Sequence, residues 1–337
     1  MALRQLQIVI HEDRRALLDG LIEGSGAVRD FAVSAGDGLV LVGVTIRMES
    51  VEALTDSILA HHKHDKGFRL SILSVEATHP KLPEPEEEAK QDPEKKWSPR
   101  FGRVSREELV EDIEGSAKTT PVSLIMVVLA TVVACVGLLK DSPAVIIGAM
   151  VIAPLLGPNI ALALGTTLGD LVMVRRAIRS NIIGLSIAIS ISVLVGLTLA
   201  RGEGTSEITA RTMVDLGDVL LALASGAAGA VAFTSGAPQV VVGVMVAVAL
   251  LPPTSVCGMM IGRGDWLDAA DSALLTATNV TCINLSATGV FLVQGIRPSA
   301  WWEKGRARGA SIRAMVMWSV ALVILAVLIV LSGFGSS

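Results

Sequence analysis

Two short stretches in the apolar half of the chain combine helix-breaking residues with side chains that could bind a solute. They contain Gly157, Pro158 and Asn159 in the first stretch, and Pro252, Pro253, Thr254 and Ser255 in the second. Backbone groups freed inside a membrane are tolerated only where protein or a water-filled cavity surrounds the break. The N-termini of interrupted helices carry partial positive charge and free N–H donors. The chemistry expected here is therefore the binding of an anion or a carboxylate.

Each break also has a purely structural interpretation. Prolines kink membrane helices for packing alone, and a single break favours that interpretation. Two breaks at equivalent places of a repeat favour a binding site. Asn181 and Asn279, which a few inserted residues would align in the repeat, are then expected as supporting residues along the pathway. Neutral side chains of this kind can line a hydrated path or coordinate Na⁺, but many only bond across helices or to their own backbone.

The two stretches belong to an internal repeat. "PAVIIGAMVIAPLLGPN" begins at Pro143 and "PQVVVGVMVAVALLPPT" begins at Pro238, an offset of 95 residues that places Pro158 on Pro253. Each copy holds three spans, so the second copy is expected to enter the membrane in the opposite orientation. Basic residues follow the broken span of the first copy, whereas acidic residues follow that of the second. The sequence therefore predicts an inverted 3+3 repeat with copies near 121–200 and 217–294.

The elements that carry these residues are expected to be membrane helices. The chain has 337 residues, of which 51% are hydrophobic and 18% charged, and most of the charge lies in residues 1–118. Long apolar runs predict an α-helical polytopic membrane domain over 119–334 with about seven spans. The spans are expected at about 121–139, 143–169, 181–200, 217–234, 238–261, 273–294 and 312–332. Lys and Arg in alternate loops predict a multi-pass protein of the cell membrane with a cytoplasmic N-terminus.

A polar domain is expected before the membrane helices. Residues 1–78 alternate strand and helix patterns in the order β-α-β-β-α-β, which predicts a ferredoxin-like α+β cytoplasmic domain. Its second and third strands are joined by "AGDG" at 35–38, a turn sequence. Residues 79–118 are expected to form a charged linker and a short amphipathic helix. Ser105 and Glu108 have the spacing of a capping box for that helix.

The residue types of the membrane half argue against several kinds of chemistry. No Asp, Glu, Lys, Arg or His lies deep in a predicted span, which argues against a proton pump and an intramembrane protease. His61, His62 and His64 resemble a metal cluster but lack a carboxylate or cysteine ligand. A net charge of −4 gives no reason to expect nucleic acid as a partner. We expect no enzymatic activity, no cofactor and no metal.

The motif "IIGAMVIAPLLGPNIALALGTTLGD", with the later "LLPPTS" and "TNVTCINLS", resembles the family of uncharacterised hydrophobic membrane proteins called domain of unknown function 389. The resemblance covers about residues 117–295 and implies a prokaryotic multi-span membrane protein, without a substrate or reaction. From the residues, we predict a transporter or channel-like protein that moves a small solute across the lipid bilayer. We expect it to form homo-oligomers and to be regulated by its cytoplasmic domain. A membrane-anchored sensor or scaffold without transport activity is the alternative.

Overall fold

The computed structural model describes residues 3–23, 25–62, 65–75, 78, 104–198, 204–213, 215–236, 250–296 and 315–329. The chain divides into two compact units, Met1–Leu109 and Val110–Ser337, and each is described by itself. Three predicted features lie outside the described residues: the linker over 79–103, the first half of the fifth span and the loop over 297–314.

The first unit is an antiparallel sheet with two helices, in the predicted order β-α-β-β-α-β. The strands pair in the order β2-β3-β1-β4, so β1 and β3 are central. The elements are β1 (Leu3–His11), α1 (Arg15–Glu23), β2 (Val28–Gly36), β3 (Leu39–Arg47), α2 (Met48–His62) and β4 (Arg69–Val75).

The core of this unit follows from the alternation in its central strands. Successive strand residues point to opposite faces, and Leu6, Ile8 and Ile10 of β1 are all buried on one face. They pack in one cluster with Leu18 of α1 and Val51 of α2. The predicted turn between β2 and β3 is also present, and its three residues over 36–38 all have positive φ.

The second unit is helical in the residues that the structure describes. The boundary between the units falls within α3 (Arg106–Ala117). The following helices are α4 (Pro121–Leu139), α5 (Pro143–Ile152), α6 (Leu156–Leu168), α7 (Leu171–Thr198), α8 (Ser206–Thr209), α9 (Leu216–Thr234), α10 (Leu251–Arg263), α11 (Trp266–Val293) and α12 (Met315–Ile329).

The second unit has the composition of a membrane protein, but seven spans are not confirmed. Four helices (α4, α7, α9 and α11) are long and apolar enough to cross a membrane. The count is five if α5 and α6, which meet at a bend of 54°, form one broken span. The other two predicted spans are not confirmed, because α10 has 13 residues and follows undescribed chain, and α12 covers only Met315–Ile329.

The helix bounds of the second unit recur 95 residues apart. The 19-residue helix α9 begins at 216, and its counterpart α4 begins at 121. The same shift relates α6 to α10, each of 13 residues, and α7 to α11, each of 28 residues. Because no insertion is needed, Asn181 corresponds to Thr276. The expected alignment of Asn181 with Asn279 is therefore corrected.

The two short helices α6 and α10 lie at the centre of the helical unit. Every residue of α6 from 156 to 165 is buried, and so is every residue of α10 from 251 to 260. Helix α6 packs against α7 and α11, and α10 packs against the same two helices. Each long helix therefore contacts the short helix of its own repeat and the short helix of the other repeat.

Candidate functional site

The first break lies in the second predicted span, where the sequence places it. Helix α5 ends at Ile152, and Ala153 has an extended backbone (φ −73°, ψ 119°). The cause is Pro154, because the ring of a proline disfavours the helical conformation of the residue before it. Helix α6 begins at Leu156 after this interruption.

The prolines of both stretches lie in the first turn of a new helix, as predicted. Pro158 is the third residue of α6, and Pro252 and Pro253 are the second and third residues of α10. At these positions a missing N–H removes no bond within the helix. The residues that precede the two helices, Leu155 and Leu250, provide no side-chain cap.

Gly157 lies where the backbone of α6 comes close to the end of α3. A Cβ atom added at Gly157 would overlap the carbonyl of Ser116, so this position has no room for a side chain. Close packing therefore explains the glycine. Its predicted role in binding a solute remains a prediction.

Three asparagines from three helices meet beside the first break. Asn159 Nδ2 in α6 donates to Asn181 Oδ1 in α7 over 3.1 Å. Asn284 Nδ2 in α11 donates to Asn159 Oδ1, also over 3.1 Å. Asn159 Nδ2 further donates to the Leu155 carbonyl at 2.9 Å, which gives Asn159 partners for both ends of its amide. We call Asn159, Asn181 and Asn284 the asparagine cluster.

The helix that supplies Asn284 carries polar atoms that have no partner among the described residues. They are Asn284 Oδ1 and the hydroxyls of Thr278 and Thr288, all on α11 and all fully buried. Buried polar atoms nearly always bind protein, ordered water or a ligand, because leaving them unpaired costs about 1–3 kcal/mol each. Helix α11 therefore offers hydrogen-bonding capacity to a guest.

The start of α10 repeats one contact of the start of α6. Thr254 Oγ1 donates to the Leu250 carbonyl at 2.7 Å, as Asn159 does to Leu155 at the equivalent position. Both side chains thus donate to the carbonyl that precedes their helix, and the Leu250 carbonyl also accepts from the backbone N–H of Thr254. Ser255 is fully buried in the next position of α10, and Asn279 is 6% exposed on α11.

The electrostatics of this region are those of neutral dipoles. All polar side chains that are buried in the described part of the second unit are uncharged. They are Thr131, Asn159, Thr167, Ser192, Thr234, Thr254, Ser255, Ser272, Thr278, Asn279, Thr281, Asn284 and Thr288. Such a set can solvate a guest through hydrogen bonds and helix dipoles, and it holds no side chain suited to proton transfer at neutral pH.

The structure brings together part of the predicted site. Asn159 and Asn181 are in contact, and both stretches begin central helices. A break before α10 and a chamber shared by two breaks stay predictions, because residues 237–249 lie outside the described residues. Asn284 belongs to the asparagine cluster although it was not among the predicted site residues. The feature of the sequence that could have indicated Asn284 is its amide in the middle of an apolar helix, within "TNVTCINLS".

Comparison with known proteins places both short helices inside one family match. The family described as "Domain of unknown function (DUF389)" matches residues 150–285. An uncharacterised protein of Methanocaldococcus jannaschii is 35% identical over 264 residues, which cover 78% of this chain and 79% of that protein. No solved structure is significantly similar to the chain.

Proposed function

We propose a function from the site itself, since the chain belongs to the domain of unknown function 389 family and neither that family nor the archaeal relative carries a function name. The protein is a transporter or channel-like protein that moves a small solute across a membrane. The observation that carries the proposal is the asparagine cluster at the end of a broken helix, beside buried polar atoms without partners.

A purely structural protein would have little reason to keep this arrangement. Burying an unpaired hydroxyl or amide is costly, and an apolar side chain of similar shape would avoid that cost. Three such atoms on α11 are therefore most easily explained if water or a solute completes their hydrogen bonds.

The proposed pathway lies between two inverted copies of a three-helix unit. Support comes from the constant shift of 95 residues between helix bounds and from the packing of α6 and α10 against both long helices. Each short helix contacts a long helix of the other copy, as it would if a two-fold axis related the two copies. Three spans in each copy would then reverse its orientation in the membrane.

The solute class follows from the helix ends. The first-turn N–H groups of α6 and α10 have no side-chain cap and favour an anion or a carboxylate. The Oδ1 atom of Asn284 and the free hydroxyl of Thr288, one helical turn further along α11, would accept hydrogen bonds from donors on the solute. Asn159, Asn181, Thr254, Ser255 and Asn279 would line or support its path. We propose no catalytic step.

A flux measurement tests this function. The purified protein would be reconstituted in liposomes, each loaded with one anion, amino acid or small carboxylate. Efflux of the solute would be compared with efflux from liposomes that contain the same solute but no protein. We expect flux of at least one solute, reduced at least tenfold by Asn159→Ser and Thr254→Val. Ser190→Ala is the control, because Ser190 is exposed and its hydroxyl donates only to the Ser186 carbonyl.

Absence of flux for every solute would contradict the proposal. It would favour a membrane-anchored sensor or scaffold, for which the compact first unit supplies a separate folded domain. If transport is found, flux should also respond when a ligand binds the first unit, which we propose to be regulatory. Homo-oligomers are expected and can be measured by light scattering of the purified protein.

A further inference from the structure

A cavity of about 320 Å³ lies among α3, α6 and α7 in the second unit, apart from the asparagine cluster. Part of its wall is apolar, with Met173, Ala177 and Ile183 of α7. The charged side chains that line it are Glu114, Lys118, Arg176 and Arg179. Three cations against one acid leave an excess of two positive charges around a space large enough for a small anionic group.

The cations of this cavity are available for a ligand. Arg176 approaches Glu114 only at 4.0 Å, and the Arg176 side chain is 69% exposed, so their attraction is weak. In the described part of the chain, Lys118 and Arg179 have no ion-pair partner.

The hydroxyl groups of the cavity are already occupied. Ser180 Oγ donates to the Ala117 carbonyl at 2.8 Å, so Thr119 must be the donor in its 2.7 Å bond with Ser180. The donors left for a guest are therefore the ammonium and guanidinium groups, which bind phosphate oxygens well.

The length of α7 places these cations near a membrane surface. Its 28 residues span about 42 Å, whereas the hydrocarbon core of a bilayer is about 30 Å thick. The stretch after Arg179 has no charged residue and is about as long as that core. The excess length therefore lies at the N-terminal end, which carries Arg175, Arg176 and Arg179, at the level of lipid headgroups.

An apolar surface continues from the cavity along the outside of α7. A groove there is lined by the same arginines together with Leu171, Val172, Ile178 and Ile182, all of them exposed. In a membrane these aliphatic side chains would contact acyl chains directly beside the cations.

We propose that this cavity binds the phosphate group of an anionic phospholipid, held by Lys118, Arg176 and Arg179, with its acyl chains along α7. The site is independent of the proposed solute pathway, because it is lined by different side chains.

Native mass spectrometry of the full-length protein tests the site. The protein would be titrated in detergent with phosphatidylglycerol, phosphatidylcholine and glycerol 3-phosphate, a phosphate without acyl chains. We expect phosphatidylglycerol to bind most tightly, and Arg179→Gln or Lys118→Gln to weaken its binding about fivefold. Arg175→Gln is the matched control, because Arg175 lines the outer groove but not the cavity, and its removal should change binding less than twofold.

Three results would overturn the proposal. One is equal binding of phosphatidylglycerol and phosphatidylcholine by the unaltered protein. Another is that Arg175→Gln and Arg179→Gln weaken the binding of phosphatidylglycerol equally, which would indicate general attraction of lipid to a basic surface. Glycerol 3-phosphate binding as tightly as the lipid would instead assign the cavity to soluble phosphates. Since Arg179 is exposed, unchanged melting temperature and size-exclusion profile should accompany each variant.

Discussion

At the scale of single residues, the helical unit concentrates its polar contacts on Asn159. This side chain donates to Leu155 and Asn181 and accepts from Asn284, so it links three helices. The sequence identified Asn159 because an amide beside a proline in an apolar run needs a partner, and Asn181 because of its place in the repeat. It did not predict that Asn284 contacts Asn159, because a contact between residues 125 positions apart depends on how α6 packs against α11.

Two leucine substitutions in the cluster should differ in cost. Asn159→Leu removes the partner of the Asn181 amide and one of the two partners of Asn284 Nδ2, which keeps the Val280 carbonyl. It should lower the free energy of unfolding by about 1–3 kcal/mol. Asn284→Leu should cost less, because it also removes an Oδ1 atom that has no partner. Melting temperatures in detergent compare the two variants, and a larger loss for Asn284→Leu would contradict the assigned contacts.

Asp141, in the turn between α4 and α5, should make stability depend on pH. The backbone N–H of Glu207 and then the hydroxyl of Ser206 lower the pKa of Asp141 below its ordinary value of 3.8. A lowered pKa in the folded state stabilises the protein above the unfolded pKa, and that contribution is lost as the pH falls through the folded pKa.

The expected result for Asp141→Asn is a lower melting temperature at neutral pH and a difference from the unaltered protein that disappears as the medium is acidified below pH 3.8. Asp37→Asn is the control for backbone conformation, since Asp37 and Asp141 both have φ of 50°. A difference that persists unchanged into acid would exclude the charge as its cause.

At the scale of elements, helix ends were predicted less well than helix centres. The third span was expected at 181–200, but α7 begins at Leu171. Asp170 Oδ1 accepts from the N–H groups of Val172 and Met173 and so starts the helix early. Arginine is a good helix former, so the segment with Arg175, Arg176 and Arg179 is helical although it lies outside the apolar run on which the prediction was based.

The contact between α7 and α10 depends on small residues. A Cβ at Gly262 would overlap the Val193 carbonyl, and a Cβ at Gly258 would lie 2.7 Å from the Ile189 carbonyl. Two glycines four residues apart allow helix backbones to approach closely in membranes.

Gly262→Ala should therefore destabilise the helical unit by about 1–3 kcal/mol, because the two backbones must move apart. Gly289→Ala in α11 is the matched control, since no atom lies within 4 Å of the added methyl group. The measurement is thermal unfolding in detergent. Equal melting temperatures for the two variants would show that α7 and α10 do not pack this closely.

At the scale of the whole molecule, the orientation of the two repeat copies decides the transport proposal. Leu171 and Trp266 begin equivalent helices 95 residues apart, and they are 78% and 69% exposed. If the copies are inverted, these two positions lie on opposite sides of the membrane.

Cysteine labelling measures that orientation. Leu171→Cys and Trp266→Cys would be treated with a membrane-impermeant maleimide in sealed vesicles of one orientation. We expect only one of them to react before the membrane is opened and both to react afterwards. The native cysteines Cys135, Cys257 and Cys282 are buried and should stay unlabelled. Reaction of both from the same side would contradict the inverted repeat.

The sequence by itself determined the apolar helices, the polar N-terminal domain, the first break and the repeat, because these depend on local composition, proline geometry and a constant offset along the chain. Only the tertiary structure decided which side chains meet. The asparagine cluster, the burial of α6 and α10 and the basic cavity beside α7 arise from packing between distant segments. Hydrophobic patterning predicts that a helix is buried but leaves its neighbours undetermined.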